Sequence, residues 1–200
     1  RGPLRFSPMT SGRGPPPGKE VFSMSARTRA LTEGAVAAAL SLVLSNLKLF
    51  ALPQGGSVTL EMAPLLAFAL LRGPRAGIAA GTLSGLLQLF FGGYVVHPLQ
   101  ALLDYPVAFG AVGLAGIFRG DGLPRQIAGL LLGGGTRLLC HVLSGVVFFA
   151  SFAPQGTNVW LYSLSYNGTF LAPSLILSGA AAIPLARRLA GKVGQAASPR

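Results

Sequence analysis

Four ionisable side chains stand inside or beside long apolar runs, where charge is costly. Asp104 lies in PLQALLDYPVAFG, Glu61 precedes MAPLLAFALL, and Arg137 and His141 are four residues apart in TRLLCHVLSG. A charge at bilayer depth costs about 3 kcal/mol, so each of these residues is a functional candidate. The spacing of Arg137 and His141 places them on one helix face. Asp104 fits two compatible roles, an internal ion pair with Arg137 or a ligand site for an organic cation.

A site for an organic cation needs aromatic faces beside its carboxylate. Tyr94, Tyr105, Tyr162 and Phe149 are the aromatic residues near the segments that lack Lys and Arg. An isolated aromatic residue is more often a packing group or an interfacial anchor. Lys48 lies near the outer end of the first apolar run, where its ammonium group can extend towards water.

The sequence lacks the groups that most enzymes require. It contains only five acidic residues and a single cysteine, Cys140, inside an apolar run. No nucleotide-binding loop, paired metal ligands or serine–histidine–acid set can be assembled. The basic residues form short clusters without an aromatic recognition element, which argues against nucleic-acid binding. The sequence therefore predicts a protein that is not an enzyme and that uses no cofactor or metal.

The composition predicts an all-α integral membrane protein. Of the 200 residues 51% are hydrophobic and 10% charged, against about 25% charged in soluble domains. A membrane-spanning helix needs about 20 apolar residues. Gly133 to Gly135 would weaken a helix, which predicts an amphipathic or loop-like start to the fifth span. Six spans are predicted, at Leu31–Leu52, Val58–Leu71, Ala76–Phe91, Pro98–Phe118, Gln126–Phe152 and Val159–Leu185.

Charge placement predicts the orientation of these spans. The segments Pro53–Ser57, Gly93–His97 and Ala153–Asn158 contain no Lys or Arg. Basic residues cluster at the alternate ends, which is the positive-inside pattern for six helices with both termini in the cytoplasm. These residues are Arg27, Arg29, Arg72, Arg75, Arg119, Arg125, Arg187, Arg188 and Lys192.

Three domains of unequal size are predicted. Residues 1–23 are rich in Gly, Pro and basic residues, which indicates a disordered or non-native extension before a start at Met24. Residues 24–190 form the membrane domain, and residues 191–200 a flexible tail. Gly77, Gly81 and Gly85 on the third span are spaced for close helix packing.

Several long strings resemble one family of membrane proteins. LPQGGSVTLEMAP, LLRGPRAG, GLLQLFFGGYVVHPLQALLDYPVAF, HVLSGVVFFASFAP and VWLYSLSYNG occur in order from Leu31 to Leu185. They closely resemble the thiamine-specific substrate-binding subunit of energy-coupling factor (ECF) transporters. The resemblance implies a subunit in a prokaryotic cell membrane that captures thiamine from outside. It also implies a membrane coupling subunit and two cytoplasmic ATPases as partners.

The resemblance also implies particular site residues. The alanine pair Ala35 and Ala39 on the first span admits either internal packing or docking of another subunit, and it matches the small-residue motif that docks the coupling subunit. Ser57 and Phe149 stand where some members carry tryptophan. Phe149 keeps an aromatic face, whereas Ser57 does not, so the loop after the first span lacks one. The residues implied to bind the ligand are Ser57, Tyr94, Asp104, Tyr105, His141, Gly145, Phe149, Tyr162, Ser163 and Asn167.

A division of roles follows for thiamine. Asp104 would offset the fixed charge of the thiazolium ring, with Tyr105, His141 and Phe149 as neighbouring faces. Tyr162, Ser163 and Asn167 would hydrogen-bond the aminopyrimidine. The glycine-containing loop Pro53–Ser57 would close over the ligand.

Other functions remain open on the residues alone. One is a subunit of the same fold for another small vitamin or for the hydroxymethylpyrimidine or thiazole half of thiamine. A phosphorylated ligand is disfavoured, because the outer loops carry no basic residue. Another is a secondary carrier driven by an ion gradient, although such carriers often show internal repeats and none is visible here. An intramembrane enzyme lacks a catalytic set.

Overall fold

The computed structural model describes residues 25–53 and 55–196, with side chains as far as Gly191. The predicted extension at residues 1–23 lies outside them. In the described part of the chain, strands β1 (Phe50–Ala51) and β2 (Ser57–Val58) pair antiparallel, and a short 3₁₀ turn, Ala150–Phe152, follows the fifth helix. The six helices are α1 (Ala26–Ser45), α2 (Met62–Arg72), α3 (Pro74–Phe90), α4 (Pro98–Phe118), α5 (Leu123–Phe148) and α6 (Val159–Ala196).

The predicted all-α membrane fold is confirmed. Three of the described helices, α4, α5 and α6, are long and apolar enough to cross a bilayer by length and composition. The connection between α2 and α3 depends on Gly73, whose φ of +89° suits glycine. Pro74 then begins α3, where its missing N–H costs no helical hydrogen bond.

Some predicted boundaries were wrong. The first span was expected to reach Leu52, but α1 ends at Ser45, and Lys48 lies beyond it in the connection. The expected loop-like start at Gly133 to Gly135 is also wrong, because α5 runs unbroken through these residues. The last helix continues past Leu185 to Ala196, into the segment expected to be a flexible tail.

Helix α2 occupies the centre of the bundle. Every residue from Met62 to Leu70 is buried, and the helix contacts α1, α3 and α6. Leu65, Leu66 and Phe68 share one apolar core with Phe109 of α4. An 11-residue helix with no exposed face except at its ends is held by burial on all sides.

Helix α4 changes its winding beside Asp104. The turn Leu103–Val107 is π-helical and contains Pro106, which has no N–H to donate. Such π-helical turns are frequent at functional sites because the extra residue re-aims the side chains. Adjacent residues Asp104 and Tyr105 consequently both line one cavity.

The glycines of α3 bring that helix close to α4. A Cβ atom at Gly81 would overlap the carbonyl group of Phe109, and one at Gly85 would overlap that of Tyr105. Gly77 makes the same approach to Gly113. The packing role predicted for this glycine series is therefore confirmed, and it fixes the backbone of the turn that carries Asp104.

We expect Gly81→Ala to destabilise the fold by about 1–3 kcal/mol, because the new methyl group meets backbone that cannot rotate away. The matched control is Gly135→Ala, where the added Cβ has no atom within 4 Å. Alanine there gains up to about 1 kcal/mol of helix propensity. Thermal unfolding in detergent measures both variants, and equal stability of the two would contradict the close α3–α4 packing.

Candidate functional site

A cavity of about 450 Å³ opens among α3, α4, α5, α6 and the connection between α1 and α2. This volume is typical of sites for small organic ligands. The predicted ligand residues come from separate elements and all line this cavity. They are Ser57, Tyr94, Asp104, Tyr105, His141, Gly145, Phe149, Tyr162, Ser163 and Asn167.

Asp104 lies at the centre of a hydrogen-bond network. Its Oδ1 is 3.1 Å from His141 Nδ1, and its Oδ2 accepts from Ser144 Oγ at 2.9 Å and Gln100 Nε2 at 2.7 Å. The carboxylate is 14% exposed. Three donors hold it in one orientation without an accompanying permanent cation, so its negative charge is available to a ligand.

Gln100 is itself held by the connection that precedes α4. Its Nε2 donates to the carbonyl oxygen of Tyr94 at 3.1 Å, and its Oε1 accepts from the Val96 N–H at 3.0 Å. The Tyr105 hydroxyl accepts from the Tyr94 N–H at 2.6 Å. The carboxylate and both tyrosines therefore form one ordered unit.

The expected ion pair between Asp104 and Arg137 is wrong. Arg137 Nη2 donates to Glu61 Oε1 at 2.6 Å, and both side chains are almost fully buried. The guanidinium carbon lies 4.0 Å from the centre of the Phe109 ring, which supplies a cation–π contact. Arg137 and His141 do share a helix face, as predicted. Arg137 pairs with the carboxylate of Glu61, whereas His141 contacts that of Asp104.

His141 joins this network to an aromatic wall. A neutral imidazole that donates from Nδ1 to the carboxylate carries no proton on Nε2. Nε2 is buried and has no hydrogen-bond partner among the described residues. The ring meets Phe170 edge to face, with 6.3 Å between centroids.

Aromatic rings line two other sides of the cavity. Phe149 stacks on Tyr94 at 6.4 Å between centroids and lies 6.2 Å from Phe152. Tyr162 and Tyr166 stack at 6.0 Å on α6. Two carboxylates line the cavity, and Glu61 is paired with Arg137, so Asp104 alone presents an uncompensated carboxylate among π-faces, the arrangement suited to an organic cation.

The polar residues of α6 fall into two roles. Ser163 Oγ donates to the carbonyl oxygen of Val142 at 2.9 Å and is buried, so it joins α6 to α5. Gly145 permits this contact, because a Cβ atom there would overlap Ser163 Oγ. Asn167 Nδ2 donates to the carbonyl oxygen of Ser163 at 2.9 Å, so its amide oxygen is the group best placed to serve a ligand.

The predicted docking residues lie apart from the cavity. Ala35 and Ala39 are exposed on α1, next to the exposed side chains of Val36 and Leu40. The opposite face of α1, which includes Gly34 and Ala38, is buried against the bundle. The alanine pair therefore belongs to an apolar outer face.

Several cavity residues were missed from the sequence. Gln100 is four residues before Asp104, and Ser144 is three after His141, so helical spacing could have identified both. Tyr166 and Phe170 continue the spacing of Tyr162 by four residues. Lys48 lines the cavity from the connection after α1, although it was expected only to extend outward.

Comparison with known proteins identifies the family. The model of the thiamine transporter protein family (Thia_YuaJ) matches residues 31–193. Thiamine transporter ThiT of Bacillus subtilis (strain 168) is 40% identical over 154 residues, covering 70% of this chain and 80% of the relative. ThiT of Lacticaseibacillus paracasei is 37% identical over 131 residues, covering 58% and 65% respectively.

Two solved structures are also similar. ThiT from Listeria monocytogenes has a TM-score of 0.71 and 31% identity, covering 80% of this chain and 94% of that one. The S component of a bacterial ECF transporter has a TM-score of 0.56 and 19% identity, covering 84% and 98%, and this likeness shows the fold alone. The resemblance predicted from the sequence is confirmed, and the chain belongs to the thiamine transporter family of multi-pass prokaryotic membrane proteins.

Proposed function

We propose that this chain is the thiamine-binding membrane subunit of an ECF-type importer and binds thiamine in the cavity around Asp104. The observation that carries the proposal is an ordered carboxylate, Asp104, that has no arginine or lysine partner and lies among aromatic faces, in a chain of the thiamine transporter family. Thiamine combines a permanently cationic ring with a neutral heteroaromatic ring, which matches this division of charge and π-surface.

Asp104 offsets the charge of the thiazolium ring in this proposal. Tyr105, His141 and Phe149 supply the neighbouring faces or edges. The Arg137–Glu61 pair is internally neutral, so the net charge contributed by these buried groups is the single negative charge of Asp104. A cation is therefore favoured over an anion at this position.

The aminopyrimidine ring is assigned to the α6 side of the cavity. The Tyr162 hydroxyl can donate to a ring nitrogen, and the Asn167 amide oxygen can accept from the amino group. Ser163 acts there by holding α6 against α5 through its bond to Val142. Ser57 contributes only a small polar side chain from β2, so loop one adds no aromatic face from that position.

Partner subunits supply the energy for release in the proposed mechanism. The described chain has no nucleotide-binding loop, and the fold it shares with an S component supports a role beside a membrane coupling subunit and two ATPases. Ala35 and Ala39 form the proposed contact with the coupling subunit, because they expose a smooth apolar stretch of α1.

A titration of purified protein in detergent tests the ligand assignment. Calorimetry with thiamine should give saturable binding well below micromolar, and biotin should give none. Hydroxymethylpyrimidine, which lacks the cationic ring, should bind more weakly. Failure of folded protein to bind thiamine would remove the assignment, and preferred binding of hydroxymethylpyrimidine would indicate a precursor carrier.

We also propose that all six helices cross the membrane with both termini in the cytoplasm. Each basic cluster between helices then lies inside, as the positive-inside rule requires. A green fluorescent protein fused after Arg200 should fluoresce, and alkaline phosphatase inserted after Val96 should be active. Active phosphatase fused at the C-terminus would contradict a cytoplasmic C-terminus.

A further inference from the structure

Loop one, defined as residues 46–53 and 55–61 of the connection between α1 and α2, is fastened to α6 at three points. The Tyr166 hydroxyl donates to the carbonyl oxygen of Gly55 at 2.5 Å. Gly56 lies directly against the ring of Phe170. The Thr59 N–H donates to Ser174 Oγ at 3.1 Å, in a buried position.

The three residues of α6 form one stripe. Tyr166, Phe170 and Ser174 are spaced by four, so they lie above one another on a single helix face. Loop one meets this stripe with backbone at Gly55 and Gly56 and with the apolar side chain of Val58, which shares a buried cluster with Phe170. Gly55 and Gly56 have φ of +96° and +81°, and a Cβ atom at Gly56 would overlap Phe170.

Beyond the three contacts with α6 and the packing of Val58 and Leu52 on the same helix, the hairpin of loop one has little support of its own. The β1–β2 hairpin contains two residues per strand, and an isolated hairpin is only marginally stable in water. Both Gly55 and Gly56 line the cavity, as does Tyr166. The contacts with α6 therefore determine whether this part of loop one covers the cavity.

Tyr166 also belongs to the cavity wall. Its ring stacks on Tyr162 at 6.0 Å between centroids and meets Phe170 edge to face at 6.3 Å. Phe170 in turn contacts His141, which bonds Asp104. A continuous set of contacts thus joins the anchor of loop one to the proposed cation site.

We propose that Tyr166 is a positioning residue that retains thiamine by fastening loop one over the occupied cavity, while its ring supplies the aromatic face that Ser57 does not. The inference rests on the proposed function. In this proposal thiamine leaves when loop one separates from α6, so the hydroxyl bond to Gly55 acts chiefly on dissociation.

The test is the dissociation rate of radiolabelled thiamine, chased with excess unlabelled thiamine from purified full-length protein. Tyr166→Phe keeps the ring and removes the hydroxyl, so we expect dissociation to be about three- to tenfold faster, with no slower association. Tyr166→Leu also removes the aromatic face, and we expect a further loss of affinity of about three- to tenfold.

A matched control removes a hydroxyl elsewhere. Thr136 Oγ1 bonds only its own helix, at the carbonyl oxygen of Leu132, so Thr136→Val should leave dissociation unchanged. Ser174→Ala is a second anchor variant and should change dissociation in the same direction as Tyr166→Phe. Wild-type dissociation rates in both anchor variants would overturn the proposal while leaving thiamine binding established.

Hydrogen exchange separates fastening from general destabilisation. In Tyr166→Phe without ligand, amides of residues 49–60 should exchange faster while those of α3 stay unchanged. A uniform increase in amide exchange, in α3 as well as in loop one, would indicate a merely structural role for Tyr166 and would refute the proposal. This measurement needs no bound thiamine. It therefore tests the contact between loop one and α6 even if the wild-type protein does not bind thiamine and the proposed function is wrong.

Discussion

Asp104→Asn is expected to weaken thiamine binding by about 30- to 3,000-fold. The substitution keeps the shape of the side chain but removes the negative charge that offsets the thiazolium ring in the proposed site. Removing one partner of a buried charge pair typically costs about 2–5 kcal/mol, which corresponds to that range of dissociation constants. Calorimetric titration of purified protein measures the change directly.

Part of this loss comes from the network around Asp104. Gln100, Ser144 and His141 all present donors to the carboxylate. A carboxamide accepts through only one oxygen, so at least one donor meets an NH₂ group instead. Asp104→Glu retains charge and acceptors with a longer reach, and we expect it to keep binding within about tenfold of wild type.

Two comparisons isolate the charge from folding. Asp121→Asn removes a carboxylate from the exposed α4–α5 connection and should leave binding unchanged. An uncharged analogue, with thiophene in place of thiazolium, should lose much less affinity in Asp104→Asn than thiamine does. Equal losses for the charged and uncharged ligands would show that Asp104 acts through geometry alone.

The sequence predicted the helices well where apolar runs end at proline or polar residues. Pro98–Phe118 was predicted with both of its ends, and Val159 as the start of α6. The predicted end of the first span was wrong, because the chain leaves the helix after Ser45 while the apolar residues of β1 continue the hydrophobic run. Composition does not distinguish an apolar hairpin from another helical turn.

The glycine triplet in α5 shows tertiary packing overriding local preference. Three successive glycines weaken an isolated helix. In the bundle, Gly133 lies against the backbone of Val112 and Gly134 against Leu175, so the absent side chains permit close contacts with α4 and α6. Sequence alone gives the weakness of the glycines but not the neighbours that stabilise them.

The cavity residues were predicted more accurately than their pairing. Spacing placed Arg137 and His141 on one face, and the cost of a charge in an apolar run singled out Asp104, but neither gave the rotation of α4 about its axis. The π-helical turn Leu103–Val107 directs Asp104 to His141, and Arg137, one turn away, meets Glu61. Which of the two carboxylates, Asp104 or Glu61, pairs with Arg137 depends on this local winding. The presence of Pro106 does not by itself predict that winding.

Arg137→Gln is consequently expected to act on stability. It leaves Glu61 as a buried, unpaired carboxylate and removes the cation from the Phe109 ring. Breaking a buried ion pair by removing one partner costs about 3–5 kcal/mol. Unfolding of the ligand-free protein in detergent, by temperature or by titration with a denaturing detergent, measures the loss.

The double variant Glu61→Gln/Arg137→Gln tests the physical cause. Two neutral amides can hydrogen-bond each other without a desolvated charge, so the double variant should be more stable than Arg137→Gln alone. Arg29→Gln is the surface control, because Arg29 is half-exposed and its partner Glu33 keeps a second bridge to Arg72. An exposed pair contributes at most about 1 kcal/mol. If the double variant were no more stable than Arg137→Gln, the cost would lie in lost packing around Phe109 rather than in the charge left on Glu61.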